Sequence, residues 1–101
     1  MQPFVIVRRH NIQNSMVDFV LKEVSLRLNG TEINGRLPSF VCRETEGQVW
    51  ERIRQKYGFD WDVYLRKADD DQFWDLEVRP PNSFNSYLEL HLKDYVIIVT
   101  A

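Results

Sequence analysis

The segment 45–58 constrains the fold most strongly, because it reads as an amphipathic helix with both ends marked. Thr45 is placed to act as the N-cap, and Gln48, three residues later, completes a capping box. Gly58 follows the last apolar residue, as a helix-ending glycine does. The apolar stripe of this helix consists of Val49, Trp50, Ile53 and Tyr57. One such helix cannot bury its stripe alone, so the rest of the chain must supply a sheet.

Size, charge and cysteine content bound the class of protein. With 101 residues, of which 44% are hydrophobic, the sequence predicts one domain with a single core. The net charge of -2 argues against a dedicated nucleic-acid binder, which would carry a basic excess. The apolar run 4–7 is too short for a signal peptide or a membrane span, so we expect cytoplasmic residence. The single cysteine, Cys42, reads as a small buried apolar residue rather than a nucleophile.

The chain before this helix contains one clear strand and one ambiguous stretch. Residues 2–9 predict a strand, and two Asn-Gly pairs in 29–35 predict a turn before a return strand at 36–43. The stretch 17–28 fits two interpretations. It has the apolar spacing of a helix, with Ser15 as N-cap, and it also alternates like a strand with a change of phase that suggests a bulge. Periodicity alone favours the helix slightly.

The chain after the helix predicts further strands. Residues 63–66 and 73–78 predict a hairpin whose connection is an acidic turn. Residues 87–92 predict a short helical turn. Residues 95–100 predict a last strand that is apolar on both faces, and such a strand is expected at the centre of a sheet.

No residue pattern in the sequence indicates catalysis or metal binding. His10 and His91 are far apart and lack further ligands at metal-binding spacing. Residues 69–71 are three aspartates, but the glycine and the final glutamate of a calcium loop are missing. The glycines stand singly, so none forms a phosphate-binding loop. The sequence therefore predicts a protein without enzymatic activity, cofactor or metal.

The predicted order of strands and helix resembles the ubiquitin-like β-grasp fold. Residues 88–99 resemble the last part of many ubiquitin-like domains, and 17–24 are similar to the first strand of the ubiquitin-like domains within some ubiquitin-specific proteases. Residues 4–21 and the 64–76 hairpin, with its Trp74, are similar to the ubiquitin-like N-terminal domain of a trypanosome flagellar-pocket-collar scaffold protein.

The resemblance implies an α+β fold in which a mixed sheet of about four to five strands packs against one main helix at about 45–58. It also favours a strand over a helix for 17–28. The chain ends Val99-Thr100-Ala101 instead of Gly-Gly, which implies a non-conjugating type. The alternative fold is an α+β sandwich with two helices, at 15–29 and 46–57, on one sheet.

The hairpin 62–78 is the candidate binding surface. On a half-buried sheet Val63 and Leu65 face the helix, so their neighbours on the strand face water. Phe73 and Trp74 are adjacent on the second strand, so one of these two aromatic side chains must be exposed or lie at the rim of the sheet. The predicted partner-binding residues are Tyr64, Arg66, Lys67, Phe73 and Trp74, and Arg8 and Arg9 form a secondary basic patch. In the alternative interpretation, Trp74 completes the core and Phe73 packs on Tyr64.

These features predict a protein-interaction module, a domain of a larger scaffold or regulatory protein such as a cytoskeletal one. Its partner is expected to be another protein that presents a short acidic or aromatic segment, and not a nucleic acid or a membrane. A homo-oligomer is compatible with this role. One alternative is a self-assembling domain that joins Arg8, Arg9 and His10 to the acidic residues 69–71. Another is a regulatory ubiquitin-like domain of a deubiquitinase.

Overall fold

The computed structural model describes residues 4–28, 39–67, 83–92 and 95–101. In chain order the elements are β1 (Val5–His10), α1 (Asn14–Leu28), α2 (Ser39–Tyr57), β2 (Asp62–Lys67), β3 (Tyr87–Leu92) and β4 (Tyr95–Thr100). The strands of these ranges form one sheet in the order β1-β3-β4-β2, and every neighbouring pair is antiparallel. The predicted α+β class is confirmed, whereas the predicted mixed sheet is wrong for the described strands.

In the described ranges two helices, and not one, pack on the sheet, as in the alternative sandwich. The side chains between the two layers come from both helices and from the central strands. This core includes Met16, Val20, Val24, Val49, Ile53, Leu65, Leu88, Leu90, Ile97 and Val99. A second buried cluster consists of Tyr87, Val96 and Ile98, with Tyr64 and Phe84 packed against it. Because neighbours along β4 alternate between the two clusters, this strand is apolar on both faces, whereas β3 has Glu89 and His91 on the face of the second cluster.

The strand predicted for 17–28 is wrong, because this stretch belongs to α1. Gln13 accepts at its carbonyl from the backbone amides of Met16 and Val17, both at 3.1 Å, and so closes the first turn. The buried apolar side chains of α1 recur at helical spacing and are those of Met16, Val17, Val20, Val24 and Leu28. Burial of a continuous helical stripe against α2 and the sheet therefore outweighs the shorter alternating patterns in the same stretch.

Helix α2 begins earlier than the sequence predicts. Its first residue is Ser39, so the return strand expected at 36–43 is wrong for its described part, 39–43. Thr45 is buried inside the helix and does not cap it. Cys42 and Thr45 stand one turn apart ahead of Val49, so they extend the apolar stripe towards the N-terminus and favour the longer helix.

The C-terminal end of α2 is where the sequence places it. Gly58 donates its backbone amide to the carbonyl of Arg54 at 3.1 Å and has a φ of 102°, a left-handed conformation that favours glycine. The indole nitrogen of Trp50 donates to the carbonyl of Trp61 at 3.0 Å, which ties the turn after the helix to the helix itself.

The strands of the second half are partly as predicted. β2 covers the expected 63–66 with one more residue at each end, and β4 is buried along its whole length between β3 and β2, as expected for a central strand. The helical turn predicted for 87–92 is wrong, because this stretch is β3. The turn at 29–35 and the strand at 73–78 lie outside the described residues. Among the described helices, none is long and apolar enough to cross a membrane.

Candidate functional site

The two outer strands of the described sheet differ in what covers their free edges. β2 pairs with β4, and on its other side the backbone amide of Leu65 donates to a carboxylate oxygen of Glu46 on α2 at 2.9 Å. Arg66 forms an ion pair with the same carboxylate. Helix α2 therefore shields part of the outer edge of β2 from another strand.

The predicted partner-binding residues of the hairpin are placed as follows. Tyr64 is half-buried and packs against the second cluster, Arg66 is paired with Glu46, and Lys67 is exposed. Phe73 and Trp74 lie outside the described residues. Binding of a partner by this hairpin stays a prediction.

The outer edge of β1 is open in the described part of the chain, and its apolar side chains are exposed. Among the described strands, β1 pairs with β3 alone. The side chains of Val5, Ile6 and Val7 are 62%, 44% and 47% exposed. These three successive β-branched side chains remain partly exposed beside an edge that pairs with no described strand. We call residues 5–9 the β1 edge.

Contacts with β3 hold β1 in place. The imidazole of His10 stacks on the ring of Tyr87, with 5.9 Å between centroids, and its Nε2–H donates to the carbonyl of Phe84 at 3.0 Å. The pairing between the two strands shifts at Val7, between Ile6 and Arg8, which is a β-bulge. Because the strand is anchored at this end, its free edge is presented in a fixed orientation.

A buried polar group lies across from Arg8 on β3. The carboxylate of Glu89 accepts from the Tyr87 hydroxyl and from Nε2–H of His91, each at 2.7 Å. Burial, followed by the hydrogen bond to Glu89 and its charge, raises the pKa of Tyr87 far above its ordinary value, and Arg8 opposes this shift. The Glu89 carboxylate is thus satisfied within β3, and Arg8 makes no ion pair with it.

The basic residues of the β1 edge keep their charges free of described carboxylates. Arg8 is exposed and lies opposite Glu89 in the pairing of β1 with β3. The guanidinium of Arg9 donates to the carbonyl of Ile12 at 2.9 Å and to the side-chain oxygen of Asn14, both neutral groups. Within the described ranges neither arginine forms an ion pair. The edge therefore has an apolar half followed by a basic half.

The apolar half of this edge was not singled out from the sequence. The secondary basic patch, Arg8 and Arg9, pointed to the correct strand but not to Val5, Ile6 and Val7, since a β-branched run ordinarily predicts burial. The signal that was available is positional. Pro3 before the strand and two arginines at its end are residues with which proteins mark a sheet edge.

Neither thiol nor metal chemistry is supported by the described residues. Cys42 is partly buried against the core, and burial raises the pKa of its thiol, although the charge of Arg66 opposes the shift. Across the described ranges no group of three or more His, Cys, Asp and Glu side chains is arranged to hold a metal ion.

Comparisons with known proteins give a fold but no family. No protein-family model matches the chain, and no curated protein matches its sequence. Among solved structures, the dynein light chain-like domain of the Fasciola hepatica calcium binding protein FhCaBP2 is similar, with a TM-score of 0.69 and 10% identity over 99% of this chain and 92% of that one. The dynein light chain-like domain of CsTAL3 has a TM-score of 0.62 and 11% identity, over 97% of this chain and 94% of that one.

The ubiquitin-like resemblance is therefore wrong. The fold is similar to that of dynein light chain-like domains, which differs from the β-grasp. The physical difference is visible in the described elements, where α1 occupies the stretch expected as a strand and the sheet contains only antiparallel pairs. The interpretation as a regulatory ubiquitin-like domain of a deubiquitinase is overturned with the fold on which it depended.

Proposed function

We propose that this chain is a protein-interaction module that binds an extended segment of a partner protein by strand addition to the β1 edge. The observation that carries the proposal is the exposure of Val5, Ile6 and Val7 along a strand whose outer edge pairs with no described strand. In strand addition, main-chain hydrogen bonds supply affinity and alternate side chains supply specificity. An open edge with exposed apolar side chains offers both kinds of contact.

The charge of the edge defines the chemistry of the segment. Arg8 and Arg9 are exposed and form no ion pair with a described residue, although the chain as a whole has a net charge of -2. A local basic end on an acidic protein attracts a locally acidic segment and repels a basic one. The proposed partner segment therefore has apolar residues that meet Val5–Val7 and acidic residues that meet the two arginines.

The comparisons support this proposal only at the level of fold. In FhCaBP2 and CsTAL3 the similar unit is described as a dynein light chain-like domain, that is, as one part of its protein. We propose the same arrangement here, in which the chain is a non-catalytic domain that recruits a partner to a larger scaffold or regulatory protein. A cytoskeletal setting is part of this proposal.

Selection from a random peptide library tests the site. Peptides that bind the wild-type chain are expected to be acidic at one end and alternately apolar elsewhere. Replacement of Ile6 by lysine places a charge in the apolar half and should weaken their binding about tenfold or more. The matched control is Leu26→Lys, because Leu26 is a 65% exposed leucine on α1, away from the edge.

Amide hydrogen exchange identifies the bound surface in the same samples. Slower exchange at residues 5–9 on peptide binding, together with loss of binding in Ile6→Lys and not in Leu26→Lys, would support the proposal. Equal binding by both variants would overturn it. Dependence on Arg66 and Lys67, tested with Arg66→Glu/Lys67→Glu, would instead assign binding to the hairpin predicted from the sequence.

The second candidate function is self-association, in which the β1 edge binds the β1 edge of another copy of this chain. Two β1 strands in antiparallel contact would join their sheets, and each apolar half would then lie near the other. Sedimentation velocity over a range of concentrations decides between the two. Concentration-dependent dimers that Ile6→Lys abolishes would assign the edge to self-association, whereas a monomer at every concentration leaves it to a partner segment.

A further inference from the structure

The β-bulge in β1 determines on which face of the sheet Arg8 lies. Side chains of directly opposed residues share one face of an antiparallel pair, and successive side chains along a strand alternate between faces. Ile6 is opposite Leu90, a residue of the core between sheet and helices, so regular alternation would put Arg8 on the helix side as well. The extra residue at the bulge, Val7, places Arg8 opposite Glu89 instead. Arg8 therefore lies on the face that carries the second cluster.

Arg9 lies on the other face of the sheet. It is opposite Leu88, a core residue on the helix side. Its guanidinium donates to the carbonyl of Ile12 at 2.9 Å and to the side-chain oxygen of Asn14, the first residue of α1. Arg9 thus holds the end of β1 to the start of α1, and the two successive arginines do not form one continuous basic patch.

The charge of Arg8 is the nearer one for a group that approaches from outside the sheet. Arg8 is exposed and makes no hydrogen bond or ion pair with a described residue. Glu89 is 7% exposed, and its carboxylate already accepts from Tyr87 and His91. It also lies one strand farther from the outer edge, and neighbouring strands are about 4.8 Å apart. Because the Coulomb energy falls with distance, an approaching carboxylate is attracted to Arg8 more than it is repelled by Glu89.

The same face of β1 offers an apolar contact beside Arg8. Val5 is opposite His91 and is 62% exposed. On β3 the residues opposite Arg8 and Val5 are Glu89 and His91, which are two positions apart because the bulge takes up one residue of β1. A regular segment on the outer side of β1 meets the same bulge. Its residues opposite Arg8 and Val5 are then also two positions apart and on one face.

We propose that Arg8 is the specificity-determining residue of the β1 edge and binds a carboxylate of the partner segment. The segment then has an acidic residue and an apolar residue separated by one position, and the apolar residue packs on Val5. This inference rests on the proposed function and specifies it further. A guanidinium binds a carboxylate through two parallel hydrogen bonds, and these fix the position of the acidic residue as well as attracting it.

Two peptides that differ by a single charge test the role of Arg8 in the whole chain. One is Thr-Thr-Glu-Thr-Val-Thr-Val-Thr, and the other has glutamine in place of glutamate. The glutamate peptide should bind wild type about threefold to tenfold more tightly, as measured by calorimetry. This affinity ratio should fall to about one in Arg8→Gln. The matched control is Arg9→Gln, in which the ratio should stay at its wild-type value.

A second measurement uses wild type alone and remains decisive if Arg8→Gln does not fold. In the ¹⁵N-labelled chain, the Nε–H signal of Arg8 should shift on addition of the glutamate peptide and not on addition of the glutamine peptide. The Nε–H signal of Arg9 should respond equally to the two peptides. A shift that depends on the glutamate at Arg9 and not at Arg8 would overturn the assignment.

The outcomes separate this inference from the proposed function. Equal affinity of the two peptides for wild type, with binding of both lost in Ile6→Lys, overturns the role of Arg8 and leaves strand addition in place. An affinity ratio that falls in Arg9→Gln and not in Arg8→Gln also overturns it. If wild type binds neither peptide but binds peptides from the random library, the proposed spacing of acidic and apolar residues is wrong. If wild type binds no peptide at all, the proposed function fails as well.

Discussion

The carboxylate of Glu46 lies 2.9 Å from the backbone nitrogen of Leu65 and accepts its hydrogen bond. Glu46 is on α2 and Leu65 on β2, so a helix side chain takes the position that a neighbouring strand would occupy at this point of the edge. The ion pair of Glu46 with Arg66 holds the carboxylate there. No equivalent contact covers β1 among the described residues. This difference between the two edges is the reason for assigning partner binding to β1.

Replacement of Glu46 tests this contact. Glu46→Gln keeps an oxygen acceptor for the Leu65 amide but loses the charge, while Glu46→Ala loses both. We expect Glu46→Ala to lower the free energy of unfolding by about 1–3 kcal/mol and Glu46→Gln by less. Urea denaturation measures both, and the exchange rate of the Leu65 amide should rise in the same order.

The control for this pair is Glu51→Gln. Glu51 is exposed, and its Oε2 lies 3.7 Å from Nη1 of Arg54, so the two form a surface ion pair on one helix. Its replacement should change the free energy of unfolding by less than about 0.5 kcal/mol. Equal effects at Glu46 and Glu51 would show that the contact with β2 adds nothing to stability.

Gly47 lies within α2 and Gly58 directly follows it, and replacement by alanine is expected to have opposite effects on stability at these two positions. A Cβ at either Gly47 or Gly58 meets no atom within 4 Å, so only the backbone decides. Gly47 is inside the helix, and Gly47→Ala should raise the free energy of unfolding by about 0.5–1 kcal/mol. Gly58 has a φ of 102°, so Gly58→Ala should lower it by about 1–2 kcal/mol. Thermal or urea denaturation checks both, and the same sign for the two would contradict the helix end described here.

The elements predicted correctly from the sequence are those in which the apolar residues follow one period, either that of a helix or that of a strand. The stripe of 49–57 and the uniformly apolar strand at 95–100 each allow a single interpretation, and both are found. The stretch 17–28 allowed both a helix and a strand, and the helical spacing of its apolar residues indicated the observed structure. The ubiquitin-like resemblance favoured the strand, whereas the spacing of the apolar residues favoured the helix that is observed. For 87–92, the alternation of Leu88 and Leu90 with polar or aromatic neighbours is the pattern of the observed strand.

Binding surfaces were harder to predict, because they depend on contacts between residues distant in sequence. Arg66 reads as a free cation until α2 brings Glu46 beside it, from a position 20 residues away. Val5, Ile6 and Val7 read as core residues until the order of the described strands places β1 at an edge. A cleft at one end of the sheet is lined by Asn11, Trp61 and Ser86, and no local sequence pattern connects these three residues.

One matched pair of substitutions, at a buried and at an exposed helix position, measures how much the buried apolar stripe of α2 stabilises the fold. Ile53 is fully buried between α2 and the sheet, whereas Leu26 is exposed on α1. Ile53→Ala should lower the free energy of unfolding by about 2–5 kcal/mol, since it removes core contacts and leaves a cavity. Leu26→Ala should change it by less than about 0.5 kcal/mol, as most surface substitutions do. Similar values for the two would mean that α2 presents a different face to the sheet.

The raised pKa of Tyr87 predicts how stability depends on pH in the alkaline range. Tyr87 is fully buried and donates to Glu89 at 2.7 Å, so the folded chain keeps its hydroxyl protonated above the ordinary pKa of 10.0. In the unfolded chain the same group loses its proton near pH 10. The folded state then binds more protons than the unfolded state, so stability falls as the pH rises above this value, and the group contributes no pH dependence below it.

The variant Tyr87→Phe isolates this contribution. At pH 8 it should be less stable than wild type by about 1–3 kcal/mol, because the buried Glu89 carboxylate loses a hydrogen bond. Above pH 10 the free energy of unfolding of wild type falls by up to about 1.4 kcal/mol more per pH unit than that of the variant, because phenylalanine has no proton to release. The difference between the two urea midpoints should therefore narrow between pH 9 and pH 11. A constant difference over this range would show that Tyr87 ionises equally easily in the folded and unfolded chains.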